Sequence, residues 1–151
     1  MATTTSLKDT SQIVSPFHLA IPVNDIAQAK HFYGDIMGCS QGRSAQKWVD
    51  WNFYGHQLVT HKVETMPNVA GYNHVDGKQV PVPHFGIVLP WAQWQALAAR
   101  FKQHQYPMYI EPYMRFKGKS GEQGTFFLFD LSKNALEFKT FKNSNDLFAS
   151  D

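Results

Sequence analysis

The sequence predicts an α+β fold made of two like halves, each a strand, a helix and then about three strands. Three observations carry that prediction. The stretch Phe17-His18-Leu19-Ala20-Ile21-Pro22-Val23 returns as Pro83-His84-Phe85-Gly86-Ile87-Val88-Leu89, with the histidine in the same place and a small residue two positions after it. Each copy runs directly into a segment of helical hydrophobic spacing. After each helix come runs rich in aromatic and β-branched residues, punctuated by Gly, Pro and Asn. A repeat on this scale governs how the rest of the chain is read.

Residues 1–14 are polar and Thr/Ser-rich and read as a flexible leader. Residues 17–23 form a strand, with Leu19, Ile21 and Val23 on one face and His18, Ala20 and Pro22 on the other. Asn24 is the expected N-cap of a helix over 25–37, where Ile26, Ala29, Phe32, Tyr33, Ile36 and Met37 make the apolar stripe. Gly38 then stands where a glycine ends a helix. Residues 47–54 and 56–63 read as a hairpin hinged at Gly55. Residues 66–81, with Pro67, Gly71, Asn73, Asp76, Gly77 and Pro81, read as a linker between a module at 15–65 and a module at 82–142. The second module repeats the order: a strand at 83–89, a helix at 90–102, and a short strand at 108–110. A loop over 111–121 follows, and then a closing hairpin at 125–130 and 135–141. Residues 143–151 form a polar tail.

With 151 residues, 43% hydrophobic and 17% charged, the chain suits one folded domain. The net charge of +2 and the lack of basic runs argue against a nucleic-acid or membrane partner, and the expected partner is a small-molecule substrate. The single cysteine, Cys39, suits a reducing, cytoplasmic setting. No apolar stretch approaches the length of a membrane span.

His18 and His84 occupy equivalent places on equivalent strands, turned from the face that packs beneath the helices. In Asn134-Ala135-Leu136-Glu137-Phe138, the apolar Leu136 and Phe138 turn Glu137 to that same side. A carboxylate set among apolar neighbours is usually paired or metal-bound. Two imidazoles and one carboxylate with open positions is the facial arrangement of non-haem Fe(II) oxygenases. Each residue alone has a plainer reading: a strand histidine is more often hydrogen-bonded than ligating, and a glutamate here can pair with Lys139 or Arg115. The coincidence of repeat, register and direction favours a metal. Aligning the last strands of the halves sets Val59 against Glu137, so no symmetric four-ligand site is expected. His61, on the same face as Val59, is a candidate proton shuttle or an exposed edge residue. Tyr113 is a second candidate for proton transfer, and Arg115, Lys117 and Gln123 are candidates for holding substrate. Their simpler role is a solvated loop. No Gly-x-Ser-x-Gly elbow, phosphate loop, dinucleotide glycine fingerprint or zinc-type Cys pattern occurs.

These residues resemble the vicinal oxygen chelate superfamily, which includes glyoxalase I, extradiol dioxygenases, methylmalonyl-CoA epimerase, fosfomycin-resistance transferases and bleomycin-binding proteins. The likeness spans about residues 15–142. It rests on both His strands, on Phe32-Tyr33-Gly34-Asp35-Ile36-Met37-Gly38-Cys39, on Tyr54-Gly55-His56-Gln57-Leu58-Val59 and on residues 130–138. The resemblance implies paired βαβββ modules whose curved, barrel-like mixed sheets enclose a divalent metal, held by His18, His84 and Glu137. It also implies a homodimer, or a cup closed within one chain. Val59 stands where the family's glyoxalases and epimerases usually carry a fourth ligand, which favours a three-ligand site. Leu131 and Lys133 depart from the family's usual Asp-Pro-Ser-Gly-Asn turn and are expected to alter its geometry. The leading expectation is an extradiol-type dioxygenase using Fe(II), with Mn, Ni, Zn or Co as alternatives, acting on a small aromatic or enediol substrate. A glyoxalase- or epimerase-type isomerase or lyase is the second expectation, and a metal-free drug-binding protein the third.

Overall fold

Alternation in the first His strand sorts its side chains as expected in the computed structural model, which describes residues 14–68 and 71–150. Ile21 and Val23 are buried, Leu19 packs against the core, and His18 and Ala20 are exposed. This strand, β1 (His18–Val23), leads to helix α1, a single α-helical turn Ile26–Ala29 that continues as a π-helix, Lys30–Ile36. The wider π turn is closed by the Met37 N–H donating to the Phe32 carbonyl, and it keeps Phe32, Tyr33, Ile36 and Met37 all buried. The N-cap is Asp25 rather than Asn24. The Asp25 carboxylate accepts from the Gln28 N–H, whereas the Asn24 N–H is taken by the Ser132 hydroxyl.

Strands β2 (Ser40–Ala45), β3 (Trp48–Phe53) and β4 (His56–Lys62) complete the first sheet in the order β1-β4-β3-β2. β2 carries no apolar alternation and every residue of it is exposed, which is why sequence periodicity does not reveal it. It is an edge strand with a register shift between Gln41 and Ser44, a feature that discourages pairing with another chain.

The connection between modules is more ordered than a linker. β5 (Gly71–Val75) and β6 (Lys78–Val82) form a hairpin turned at Asp76 and Gly77. Both turn residues have positive φ (53° and 73°), the conformation for which Asp-Gly is the strongest short-range hairpin signal. Strand β7 (Phe85–Val88) and helix α2 (Trp91–Gln103) follow. β8 (Ile110–Arg115) extends through residues expected to be loop. Pro112 is tolerated because β8 is an edge strand, and the register shifts between Ile110 and Tyr113. β9 (Gln123–Phe129) and β10 (Ala135–Phe141) close the second sheet in the order β7-β10-β9-β8. A short 3-10 helix, Ser144–Phe148, ends the described chain.

The first and last strands of each module pair in parallel, and the two registers correspond. Leu19 and Ala20 face Leu58 and Val59, just as Phe85 and Gly86 face Leu136 and Glu137. Val59 therefore stands where the second module has Glu137. Among the described residues the two sheets are not hydrogen-bonded to one another and form no closed barrel. Instead their helix-side faces share one core, in which Phe32 and Phe101 meet at 6.0 Å and Phe101 and Phe138 also at 6.0 Å between ring centroids. Arg100 of α2 caps the end of α1, donating to the Ile36 carbonyl at 2.6 Å and the Asp35 carbonyl at 3.0 Å. No helix among the described residues is long and apolar enough to cross a membrane.

A buried carboxylate ties the last turn to the first helix. Asp130 accepts from the Tyr33 hydroxyl at 2.7 Å, from the Ser132 and Asn134 N–H groups and from the Asn134 side chain. Asn134 in turn donates to the Pro22 carbonyl. Lys133 takes a positive φ of 67° in this turn, yet Glu137 stays in register opposite Phe127. Tyr33→Phe leaves one lone pair of Asp130 without its buried donor, and a hydrogen bond to a charged group of this kind is worth about 2 kcal/mol. Urea denaturation is expected to show that loss as a lower midpoint with an unchanged slope.

Candidate metal centre

The face of the second sheet turned away from the core carries His84 just ahead of β7, Glu137 and Lys139 on β10, and Thr125 and Phe127 on β9. His84 Nε2 lies 2.9 Å from Glu137 Oε2. Its other ring nitrogen, Nδ1, is 2.7 Å from the Pro81 carbonyl oxygen. A carbonyl only accepts, so Nδ1 carries the proton and the neutral ring would point the Nε2 lone pair at a carboxylate. Two electron-rich atoms at that distance require a cation between them, either a proton or a metal. The second carboxylate oxygen accepts from the Thr125 hydroxyl at 2.8 Å. The edge of the His84 ring stands against Phe127, with centroids 5.2 Å apart.

The pair's electrostatics follow from these contacts. Its hydrogen bond to Glu137 raises the His84 pKa, against a smaller opposing effect of burial. Burial pushes the Glu137 carboxyl upward, but the hydrogen bonds from His84 and Thr125 outweigh it and hold the group below its ordinary value. A depressed carboxyl stabilises the fold above its unfolded pKa and loses that stability as pH falls through its folded value. A raised imidazole stabilises below its unfolded pKa and loses that stability as pH rises through its folded value. Both contributions are complete between the ordinary values of 4.5 and 6.5. Melting the metal-free protein with a chelator present, beside Glu137→Gln, is expected to give the largest difference in that window and smaller ones on either side.

His18 does not join the pair. Among the described residues no group of three His, Cys, Asp or Glu side chains converges to hold a metal. His18 nonetheless repeats the design of His84. Its Nδ1 is 2.9 Å from Gln57 Oε1, which leaves Nε2 unengaged among the described residues, and Gln57 also contacts Asp50 at 3.4 Å. A ligating histidine characteristically has its non-ligating nitrogen held by a carbonyl or carboxylate. The donor set therefore suits a divalent metal: two imidazoles presenting Nε2 and one hydrogen-bonded carboxylate. His84 opens onto a groove of about 630 Å³ that Ala20 and Pro22 of β1 line from the other side.

The remaining candidates fall on both modules. His61 is exposed on β4, opposite Pro22 of β1 and Trp48 of β3. Tyr113 and Arg115 lie opposite Thr125 and Gln123 on the outer face of the second sheet. Asp76, at the tip of the β5–β6 hairpin, engages both, accepting from the Tyr113 hydroxyl at 3.0 Å and pairing with Arg115 at 2.5 Å. Burial, reinforced by the bond to Asp76, pushes the Tyr113 hydroxyl up to about 12. The hairpin also packs Val80 on Ile110 and Phe127 and sets the Lys78 ammonium 4.3 Å from the Tyr113 ring centroid. Lys117 is exposed in the turn after β8, and Gln123 is buried. Thr125, Gln57 and the Pro81 carbonyl support the ligands but carry no signal in the sequence beyond falling on the same strand face.

Comparison with solved structures agrees with this architecture. A glyoxalase/bleomycin resistance protein/dioxygenase from Alicyclobacillus acidocaldarius is 32% identical over 89% of this chain and 96% of its own, with a TM-score of 0.71. The chain belongs to that family, within the vicinal oxygen chelate superfamily. The fosfomycin resistance protein FosX of Listeria monocytogenes is similar in fold, at 15% identity over 90% of this chain and all of its own (100%), with a TM-score of 0.63. So is a lactoylglutathione lyase from Agrobacterium tumefaciens, at 15% identity, 91% and 98% coverage and a TM-score of 0.61. No protein-family profile and no curated protein matches the chain.

Proposed function

We propose that this vicinal oxygen chelate protein is a divalent-metal-dependent enzyme of the extradiol dioxygenase type, acting on a small aromatic or enediol substrate. The observation that carries the reading is the His84 Nε2 facing Glu137 across 2.9 Å with its other nitrogen already held. His18, prepared in the same way on the first module, is the third ligand. Because it stands apart within one chain, we place it in the site of a second copy, so that the working unit is a homodimer. Unpaired edges support this, since β1 and β7 each end their sheet.

Val59 in place of a fourth carboxylate leaves open positions for both oxygens of a chelating substrate and for dioxygen. A bound Fe(II), or Mn, Ni, Zn or Co, would supply Lewis acidity and a template that orients the reactants. Around it, the chain's own groups do the rest. Thr125 and the Pro81 carbonyl fix the ligand side chains, and Phe127 supplies an apolar wall. His61, exposed on the first module two residues beyond Val59, is the group available to move a proton. The glyoxalase-type alternative usually has a fourth metal ligand where this chain has Val59, which weighs against it.

Protein reconstituted with Fe(II) and offered a panel of catechols is expected to consume oxygen and to form a ring-cleavage chromophore. Neither oxygen uptake nor chromophore with any catechol would count against dioxygenase chemistry. Turnover of a hemithioacetal that proceeds equally well without oxygen would replace it with the isomerase or lyase reading.

A further inference from the structure

Among the described residues, the outer face of the second sheet holds a cation, Lys139, that makes no ion pair. Lys139 follows Glu137 by two residues on β10, which sets it roughly 7 Å further along the same face. Its neighbours are answered: Arg115 pairs with Asp76, and Lys142 pairs with Glu122 at 3.2 Å. Lys139 belongs to none of the ion pairs of the described residues. Its side chain is partly buried, and its ammonium lies 5.4 Å from the Phe141 ring centroid.

Beside it is a second unanswered group. Gln123, the register partner of Phe141, is 7% exposed, and its Oε1 is buried without a hydrogen-bond partner. Its Nε2 reaches only the Gly121 carbonyl, at 3.3 Å. Alternation along β9 puts Gln123 on the outer face, because Gly124 beside it faces Trp94 and Thr140 of the core. An unpartnered polar atom this deeply buried is costly unless a ligand answers it. Turning the amide would bring Nε2 to the orphaned position at the cost of its long contact to the Gly121 carbonyl.

We propose that Lys139 and Gln123 form the seat for a carboxylate carried by the substrate. This rests on the metal-chelating reading above and narrows it: the substrate is a chelating diol or enediol that also bears a carboxylate, about one strand step from its chelating oxygens. The Lys139 ammonium neutralises the carboxylate, and the Gln123 amide turns to donate to it. Arg115, held by Asp76, braces the wall of the seat instead of binding the anion.

The test has one arm that needs no metal. Benzoate titrated into the metal-free protein is expected to shift the Gln123 side-chain amide and Lys139 ε-methylene NMR signals saturably. Lys139→Met should weaken that binding about tenfold or more, with Lys139→Arg retaining most of it. In the metal-loaded protein, 3,4-dihydroxybenzoate should bind more tightly than catechol, and Lys139→Met should erase the difference while metal content stays at the wild-type level. Should Lys139→Met fail to fold, Lys139→Gln takes its place. No saturable shift at Gln123, or a preference for the carboxylate that survives loss of Lys139, overturns the seat. Failure of the wild-type protein to take up metal overturns the general reading instead, and leaves the benzoate arm still decisive for this one.

Discussion

Neither a His84→Ala nor a His18→Ala variant is expected to retain a divalent metal through desalting, yet a refolded mixture of the two should. Loss of a residue that merely supports a ligand typically costs 10–100-fold in metal affinity, so loss of a ligand should cost about a hundredfold or more. The mixture discriminates further. A mixed dimer unites the intact His18 of one copy with the intact His84–Glu137 pair of the other, and so rebuilds one of its two sites. With random pairing, about a quarter of wild-type metal content should return. If each cup closed within a single chain, mixing would restore nothing, because every chain would lack one of its own ligands. Metal analysis of the separate and mixed samples, with size-exclusion to confirm the dimer, reads the outcome directly.

The second large effect is expected from the smallest change. Gly86→Ala should destabilise the protein by more than about 3 kcal/mol, at or beyond the upper end for overpacking. A Cβ at this position would come 1.5 Å from the Glu137 carbonyl oxygen and 2.6 Å from its carbonyl carbon. Those are backbone atoms of the paired strand, so no side-chain rotation can relieve the clash. The β7–β10 register must yield, and with it the placement of Glu137 against His84. Melting temperature and metal affinity should therefore fall together. The equivalent residue in the first module, Ala20, carries its Cβ without such conflict and is exposed, so Ala20→Gly should change either quantity little. A Gly86→Ala protein that melts and binds metal as the wild type does would show that the strands can part without cost.

Legibility in the sequence followed periodicity. Both His strands, both helices, the β3–β4 hairpin and β10 are amphipathic or densely apolar, and their register set Val59 against Glu137 before any fold was in view. β2 was hidden because an exposed edge strand needs no apolar alternation. β8 was hidden because Pro112 reads as a breaker, although on an edge the missing N–H has no partner to lose. The β5–β6 hairpin could have been found from Asp76-Gly77, whose turn preference is intrinsic to those two residues. Its neighbouring prolines and Asn73 are the residue types of a linker as well.

What the sequence determined by itself is the two-module architecture, the side of each strand on which His18, His84 and Glu137 stand, and the asymmetry at Val59. Alternation with a period of two is a local property, and burial of the opposite face enforces it. Which polar groups are spent and which stay free was decided only by tertiary structure. Asp76 crosses from the hairpin to claim Tyr113 and Arg115, and the Pro81 carbonyl claims His84 Nδ1, while among the described residues Lys139 makes no ion pair and Gln123 Oε1 finds no donor. Hydrogen bonding and charge pairing depend on distances between segments far apart in the chain. Side-chain pattern along a single strand does not encode those distances.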